Sequence, residues 1–485
     1  MDGLALSIKK GDKLAHLAGG RFLILIACLA AAGLIVLSMV MPALSAGNTK
    51  NARATDAYTI GVKAYVYGLA PVIMERTERA FTTTPGRGHA PVNRFGHLRS
   101  LATPNDTVVV TPNSDTLYSV AWLELGKGPI VLHVPDTQGR YYVMQMLDAY
   151  TNNFASVGRR TTGTAAGDFV IAGPGWNGTA PEGLAVINSP TNTVWIIGRI
   201  LVNGPEDVAN VTALQDQFTL TPLSQYGNAS FTPVPESLSD YKKYEPSPAV
   251  SGNLSFYEEL RTALKNNPPP RGEEALMAVF GQIGLQNDTS PYVSGIDPAV
   301  AGALTRAVRD GDRIVKTAWD NVPGQKINGW TLVTDIGTYG FDYLKRAAVA
   351  EGGLGANVPR EAVYPKTQTD SSGAQLNGAH RYVMHFAKGN TPPVDAFWSL
   401  TAYNSTTYML VPNPADRYSI GDHKPGLRYN SDGSLDIYLQ HDMPAGKESN
   451  WLPVPGGDFY LVLRMYQPRP GVLDGSYKIP PVTRV

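Results

Sequence analysis

RYSIGD (417–422), YNSDGSLDIYLQHD (429–442) and ESNWLPVPGGDFYLVLR (448–464) decide how this chain is read. Groups able to do chemistry, Asp422, His441, Asp442, Glu448, Asn450 and Arg464, are interleaved there with aromatic and β-forming residues. SLDIYLQHD alternates. Leu435, Ile437, Leu439 and His441 share one face, and Asp436, Tyr438, Gln440 and Asp442 the other, which is the period of a strand with one buried side. Such density predicts a β scaffold carrying a polar site at one end, with His441 following the core side to the rim of the sheet.

Working outward, the same period predicts strands at Ala379–Phe386, Phe397–Tyr403, Thr407–Leu410, Ser434–His441 and Phe459–Tyr466. It recurs far upstream at Thr107–Thr111, Leu117–Leu125, Ile130–Val134, Arg140–Leu147, Asp168–Ala172 and Val194–Val202, with turns such as DTQG and GPGWNG between them. Short strands at this spacing suggest an antiparallel β-sandwich. Between the two β regions the period is helical. Helices are expected at Glu206–Phe218, Phe256–Lys265, Glu273–Leu285 and Thr338–Ala350. Another starts at Asp297-Pro298, a capping residue followed by a first-turn proline, and runs to Trp319 with Gly311 as a weak point. Residues 52–82 also read as helix, with Pro71 expected to kink or end it.

Bulk properties bound the function. A chain of 485 residues suggests two to four domains at about 100–200 residues each. Apolar content of 43% supports real cores, and the formal charge of zero leaves no basic field for nucleic acid. Lys9, Lys10, Lys13 and Arg21 precede the apolar run Phe22–Met41, and Ala43-Leu44-Ser45 offers small residues for cleavage. A cleaved signal peptide and a retained anchor at 22–41 are both open. Either one exports the remainder to the periplasm or cell envelope, with membrane contact only through this segment. Cys28 is the one cysteine, so the exported part has no disulfide, no thiolate nucleophile and no Cys metal site.

TPNSDTLYS (111–119), YTNNFASVGRRTTGTAAGDFVIAGPGW (150–176) and VWIIGRILVNGPEDV (194–208) resemble the bacterial family domain of unknown function 1254. RYSIGD, ESNWLP (448–453) and LDGSYKIPPV (473–482) resemble its usual C-terminal companion, domain of unknown function 1214. The resemblance covers nearly all of residues 55–485. It implies a multi-domain α+β fold: an N-terminal antiparallel β-sandwich, a mostly helical middle and a C-terminal jelly-roll-like β-sandwich. That agrees with the β–α–β pattern and gives boundaries at 1–46, 47–220, 221–355 and 356–485. It assigns no catalytic residue.

Candidate site residues therefore rest on their chemistry. Asn113 and Asp115 suit a turn between strands; with Tyr118 they could instead orient a hydroxyl-rich ligand at the rim of a cleft. Asn152 suits a strand end or a ligand contact. Arg159 and Arg160 would bind an anion if they converged, or else lie in a solvated loop. Arg199, inside an apolar strand, demands a partner, expected to be Asp115 or Asp148. His441 is the candidate general base, with Asp422 or Glu448 assisting and Arg464 stabilising charge; it could equally close the core with one hydrogen bond. Asn450 and Trp451 are candidate substrate contacts, although a tryptophan there is more often a core anchor. His380 and His385, an odd number apart in a strand, face opposite ways, and no metal motif occurs. No cofactor is expected. Two functions stay open: an exported hydrolase of an ester or glycoside with its site at the jelly-roll mouth, and a non-catalytic envelope protein binding carbohydrate, lipid or protein. The ligand is a small molecule or an envelope polymer, and the oligomeric state is open.

Overall fold

The structure, a computed structural model, describes residues 46–107 and 110–485. The apolar run at 22–41 and Cys28 lie outside the described residues. Residues up to Arg53 and residues Ala54–Val485 form separate compact units. Of the first, only the start of the helix Ala46–Thr83 is described.

The N-terminal β-sandwich pairs two sheets. The first runs, in spatial order, Phe95–His97, Thr116–Glu124, Thr193–Leu201, Tyr142–Asp148, Asn153–Gly158, antiparallel throughout. The second runs Ala185–Asn188, Gly167–Ala172, Ile130–Val134, Thr219–Pro222, with one parallel pair. Alternation does what a period of two dictates. Leu117, Ala121, Leu123, Met144, Met146, Ile196 and Ile200 point inward and meet Ile130, Leu132, Ile171 and Leu220 of the other sheet. The opposite face of the first sheet is also covered. There Trp122 and Trp195 stack with centroids 4.9 Å apart and pack with Val120, Ile197 and Met74.

Thr107–Thr111 is not a strand: Thr111 has φ +55°, which a strand cannot contain, and part of the stretch lies outside the described residues.

Helices Ala46–Thr83, Leu254–Asn266, Glu274–Gly281, Pro298–Asp320 and Tyr343–Gly352 build the middle. Asp297 caps its helix, accepting from the backbone N–H of Ala299 and Val300, with Pro298 in the first turn. Gly311 is a contact point: a Cβ there would come within 2.6 Å of the Tyr65 ring. Pro71 does not end its helix. The missing N–H leaves the Tyr67 carbonyl without its intrahelical donor, and the Arg346 Nη2 supplies one at 2.8 Å. The window Arg53–Thr83 is long and apolar enough to cross a membrane by length and composition, but 67% of its apolar stretch is buried inside the protein. It acts here as a core helix.

The C-terminal sandwich has a seven-stranded sheet around Phe459–Pro468 and Val394–Asn404, and a four-stranded sheet ordered Trp451–Pro453, Leu435–Gln440, Tyr382–Phe386, Val482–Arg484. Together they form the jelly-roll-like unit. The hairpin Gln325–Leu332, within the stretch assigned to the helical middle, joins the larger sheet through Lys366–Thr367. Thr407–Leu410 is a turn, because Asn404 Oδ1 accepts the N–H groups of Thr406 and Thr407 and diverts the backbone. Trp398, Leu400, Ala402, Leu461, Leu463 and Met465 fill the core. Their alternates, Phe397, Ser399, Thr401, Tyr403, Tyr460, Val462, Arg464 and Tyr466, face the first sandwich. Phe397 and Tyr466 pack there against Tyr141, Val143 and Leu201.

Candidate functional site: a cationic seam between the sandwiches

The turn TPNSD ends at the first sandwich's contact with the second. Asn113 Oδ1 accepts the Asp115 N–H at 2.8 Å, fixing the turn, and Asn113 Nδ2 donates to the Tyr466 hydroxyl at 2.8 Å. This places Asp115, fully buried, against the second sandwich. Its carboxylate accepts from Ser399 Oγ and Ser419 Oγ, both at 2.5 Å, and lies 3.3 Å from Lys424 Nζ and 3.5 Å from His423 Nε2. Lys424 also donates to Ser419 Oγ. Burial alone would raise the Asp115 pKa, but Lys424, His423 and Arg464 hold it well below the usual carboxylate range.

Arg464 rises from the outward face of Phe459–Pro468. Its guanidinium donates to Thr401 Oγ1 (3.0 Å), Tyr403 OH (2.7 Å) and the Thr111 carbonyl (3.1 Å). From the other side, Arg199 lies opposite Tyr118 in the first sheet. It is buried and donates to Gln145 Oε1, Asn357 Oδ1 and the Gly355 carbonyl, all neutral, with the Tyr118 ring 5.4 Å away. Neither Asp115 nor Asp148 pairs with it, which corrects the expectation for this arginine. Amide and carbonyl dipoles solvate the ion without cancelling its charge. Tyr364 OH accepts from Asn357 Nδ2 at 2.7 Å, and Tyr466 stacks on Phe397 at 4.2 Å.

The seam is therefore cationic and phenol-lined. Arg199, Arg464, Lys366 and Lys424 are set against Asp115, which is already saturated. Such a place can hold a carboxylate or phosphate through guanidinium and phenol donors. Ser419 and Lys424 do not make a poised nucleophile and base, because the serine O–H donates to Asp115 and Lys424 donates to the serine oxygen instead of accepting from it.

Asn113, Asp115, Tyr118 and Arg464 thus meet in one place, and the other expected site residues do not join them. His441 lies beyond the end of its strand and is exposed; its Nδ1 meets Asp442 Oδ1 at 2.9 Å beside a groove of 310 Å³ that also includes Asn413 and Trp451. It neither closes the core nor touches Asp422, Glu448 or Arg464 through any hydrogen bond. Asp422 accepts the Trp398 N–H at 2.9 Å, and burial raises its pKa. Glu448 is exposed and accepts the Gly446 N–H. Asn450 brackets backbone groups of Arg428 and Asp436, and Trp451, buried, donates to the Gln440 carbonyl at 2.8 Å. Trp451 is a core anchor and offers no stacking platform. Asn152 is bound to Asp148 and to the Tyr339 N–H. Arg159 and Arg160 diverge, to the Asp395 carbonyl and to Glu361. Among the described residues no group of three or more His, Cys, Asp or Glu could hold a metal ion.

Ser399, Ser419, His423, Lys424, Asn357, Tyr364 and Lys366 went unrecognised in the sequence. A trace was present: FWSLTAY and FYLVLRMY place Ser399, Thr401, Tyr403 and Tyr460, Arg464, Tyr466 on one face of otherwise apolar strands.

Two β-sandwiches joined by a helical layer and closed on a cationic seam define the class of protein. Residues 92–222 match the family described as Protein of unknown function (DUF1254), and residues 361–470 match Protein of unknown function (DUF1214). The two matches lie in the first and the second sandwich respectively. It is similar in structure to the VPA0106 protein from Vibrio parahaemolyticus, with 26% identity and a TM-score of 0.68 over 88% of this chain and 100% of that one. An uncharacterised protein from Burkholderia cenocepacia aligns over 90% of this chain and 97% of its own, at 12% identity and a TM-score of 0.43. Nothing among curated proteins matches the chain.

Proposed function

We propose that this is an exported cell-envelope protein that binds a small anionic organic molecule, a carboxylate or phosphate, in the seam between its two sandwiches. The observation that carries this reading is Arg199. It is a buried guanidinium whose hydrogen-bond acceptors are all neutral, in a seam where Arg464, Lys366 and Lys424 add further positive charge. A buried cation left without a counter-ion is costly, and an anionic guest supplies one. Export rests on the basic and apolar N-terminal segment. Hydrolysis at the jelly-roll mouth is the weaker reading. His441 and its neighbour Asp442 lie open to water, while Asp422 and Arg464 are committed to other partners.

Isothermal titration with acetate, a neutral amide of the same size and inorganic phosphate tests the proposal. One of the anions should bind saturably and the amide should not. Arg199→Gln should weaken anion binding about tenfold or more, the loss expected for one charge-assisted hydrogen bond. Equal binding of amide and anions, or binding unchanged in the variant, overturns it.

A further inference from the structure

A cleft of 720 Å³ opens beside the turn Asp136–Arg140, at the edge of the apolar contact between the sandwiches, with Tyr141, Leu201 and Ala396 in its lining. Ligand sites are typically about 300–1,000 Å³, so the cleft has room for more than a small anion. The turn is held by its own polar groups. Asp136 Oδ1 accepts the Gln138 N–H at 2.7 Å, the Arg140 N–H donates to the Thr137 carbonyl at 3.0 Å, and Gln138 and Gly139 both have positive φ, +51° and +81°. Arg140 then ties the turn to the helix Val208–Gln215. Its guanidinium donates to the Leu201 carbonyl at 2.8 Å and to both carboxylate oxygens of Asp207, which precedes that helix. Two sides of the cleft are therefore fixed before any ligand arrives, which lowers the cost of binding.

Asp207 neutralises Arg140, but nothing neutralises Arg159. Half-buried on the same lining, Arg159 donates through Nη1 to the Asp395 carbonyl at 2.6 Å and to Gln467 Oε1 at 3.4 Å, both neutral. The Asp395 carboxylate is taken by Arg469 at 2.8 Å. Among the described residues no carboxylate pairs with Arg159, and its Nε and Nη2 have no protein acceptor. Exposed amides complete the lining. Gln138 and Asn203 make no side-chain hydrogen bond among the described residues. Asn210 and Gln217 spend their NH₂ groups on Asp207 and on the Ala213 carbonyl, and their oxygens stay open. An amide offers donors and an acceptor, and a hydroxyl is both, so this lining matches a molecule dense in hydroxyls. A guanidinium without a counter-ion adds a carboxylate to the match. The sparse apolar lining gives a lipid tail nowhere to go.

We propose that this cleft binds a short acidic saccharide, its carboxylate on Arg159 and its hydroxyls on the amides. The site is separate from the seam and does not depend on the guest there.

Isothermal titration with a trisaccharide of galacturonic acid, with neutral maltotriose and with triglutamate tests this. The uronate should bind saturably, and maltotriose and triglutamate at least about tenfold more weakly, one charge-assisted hydrogen bond being worth that much. Arg159→Gln should reduce uronate binding to the level of maltotriose. Asn203→Ala, at an exposed side chain that holds nothing in the fold, should weaken it about fivefold, the loss of one neutral hydrogen bond. Arg199→Gln, which removes the seam's cation, should leave it unchanged. No uronate binding, equal binding of maltotriose, or triglutamate binding as well as the uronate overturns the proposal. So does uronate binding that survives both cleft variants or is lost in Arg199→Gln, since the sugar would then sit elsewhere. Acetate binding to the seam stands or falls independently of all these results.

Discussion

A carboxyl group enclosed by protein either finds a cation or keeps its proton, and Asp115 and Asp148 take opposite courses. Asp148 is buried at the end of strand Tyr142–Asp148. It accepts the N–H groups of Tyr150 and Asn152, both at 2.9 Å, and the Asn152 side chain. Burial outweighs these bonds and the pull of Arg346, and pushes its pKa up to about 6. The folded state thus holds a proton that the unfolded chain releases near pH 4. The contribution is greatest below that pH and is lost as pH rises through 6, on the order of 3 kcal/mol in all. Wild-type stability should therefore decline between pH 4 and 7 by this term. Asp148→Asn keeps an oxygen for both backbone donors and cannot ionise, so its urea midpoint should be flatter over the same range. Parallel curves for the two proteins would contradict the assignment. Residues of this kind were half legible. That Asp115 and Arg464 were special showed in an apolar or turn setting; their partners lie about 300 positions away in the chain, at Ser399, Ser419 and Thr111, and no local pattern encodes them. His441 looked special by alternation, but its strand stops one residue short and leaves it in water.

At the scale of elements, most strands appear within a residue or two of where the period of two puts them, because burial on one face enforces that period over the whole strand. The misreadings occur where a single side chain overrides the pattern, as Asn404 does at Thr407–Leu410, or where pairing comes from afar, as for the hairpin Gln325–Leu332. Pro71 is the instructive case. Local rules stop a helix there, and the helix continues because Arg346, from Tyr343–Gly352, bonds the orphaned Tyr67 carbonyl. Arg346 is 1% exposed and lies over the rings of Tyr67, Tyr343 and Tyr150 at 4.8, 5.0 and 5.3 Å. Cation–π attraction of this kind is worth up to about 2 kcal/mol when desolvated. Pro71→Ala restores the N–H that Tyr67 lacks, so one of the two roles of Arg346 becomes redundant. In a double-mutant cycle, Arg346→Met should cost about 1 kcal/mol less in the Pro71→Ala background than in the wild type. Strict additivity would mean that the carbonyl contact does not support the helix.

For the whole molecule, the question is what keeps two sandwiches in register. Apolar packing around Tyr141, Phe397 and Tyr466 supplies area, but area is not directional. The polar seam is. Thr111, Asn113 and Asp115 from the first sandwich meet Tyr460, Tyr466, Ser399, Ser419 and Lys424 from the second, each through a bond with fixed geometry. Asp115 is the pivot, since its removal strands Lys424 and Arg464 together without the charge that offsets them. Breaking a buried pair on one side costs about 3–5 kcal/mol. Asp115→Ala should lose that much in calorimetry, and the two sandwiches should then unfold in separate transitions where the wild type shows one. The acid limb gives an independent check. The folded pKa of Asp115 is depressed, so its contribution is present above the unfolded value near 4 and is lost only as pH falls toward the lower folded value. Wild type and Asp115→Ala should therefore differ most at neutral pH and converge in strong acid. A variant within 1 kcal/mol of the wild type at pH 7, melting in one step, would show that the apolar contacts alone set the register and that the seam is free to serve its guest.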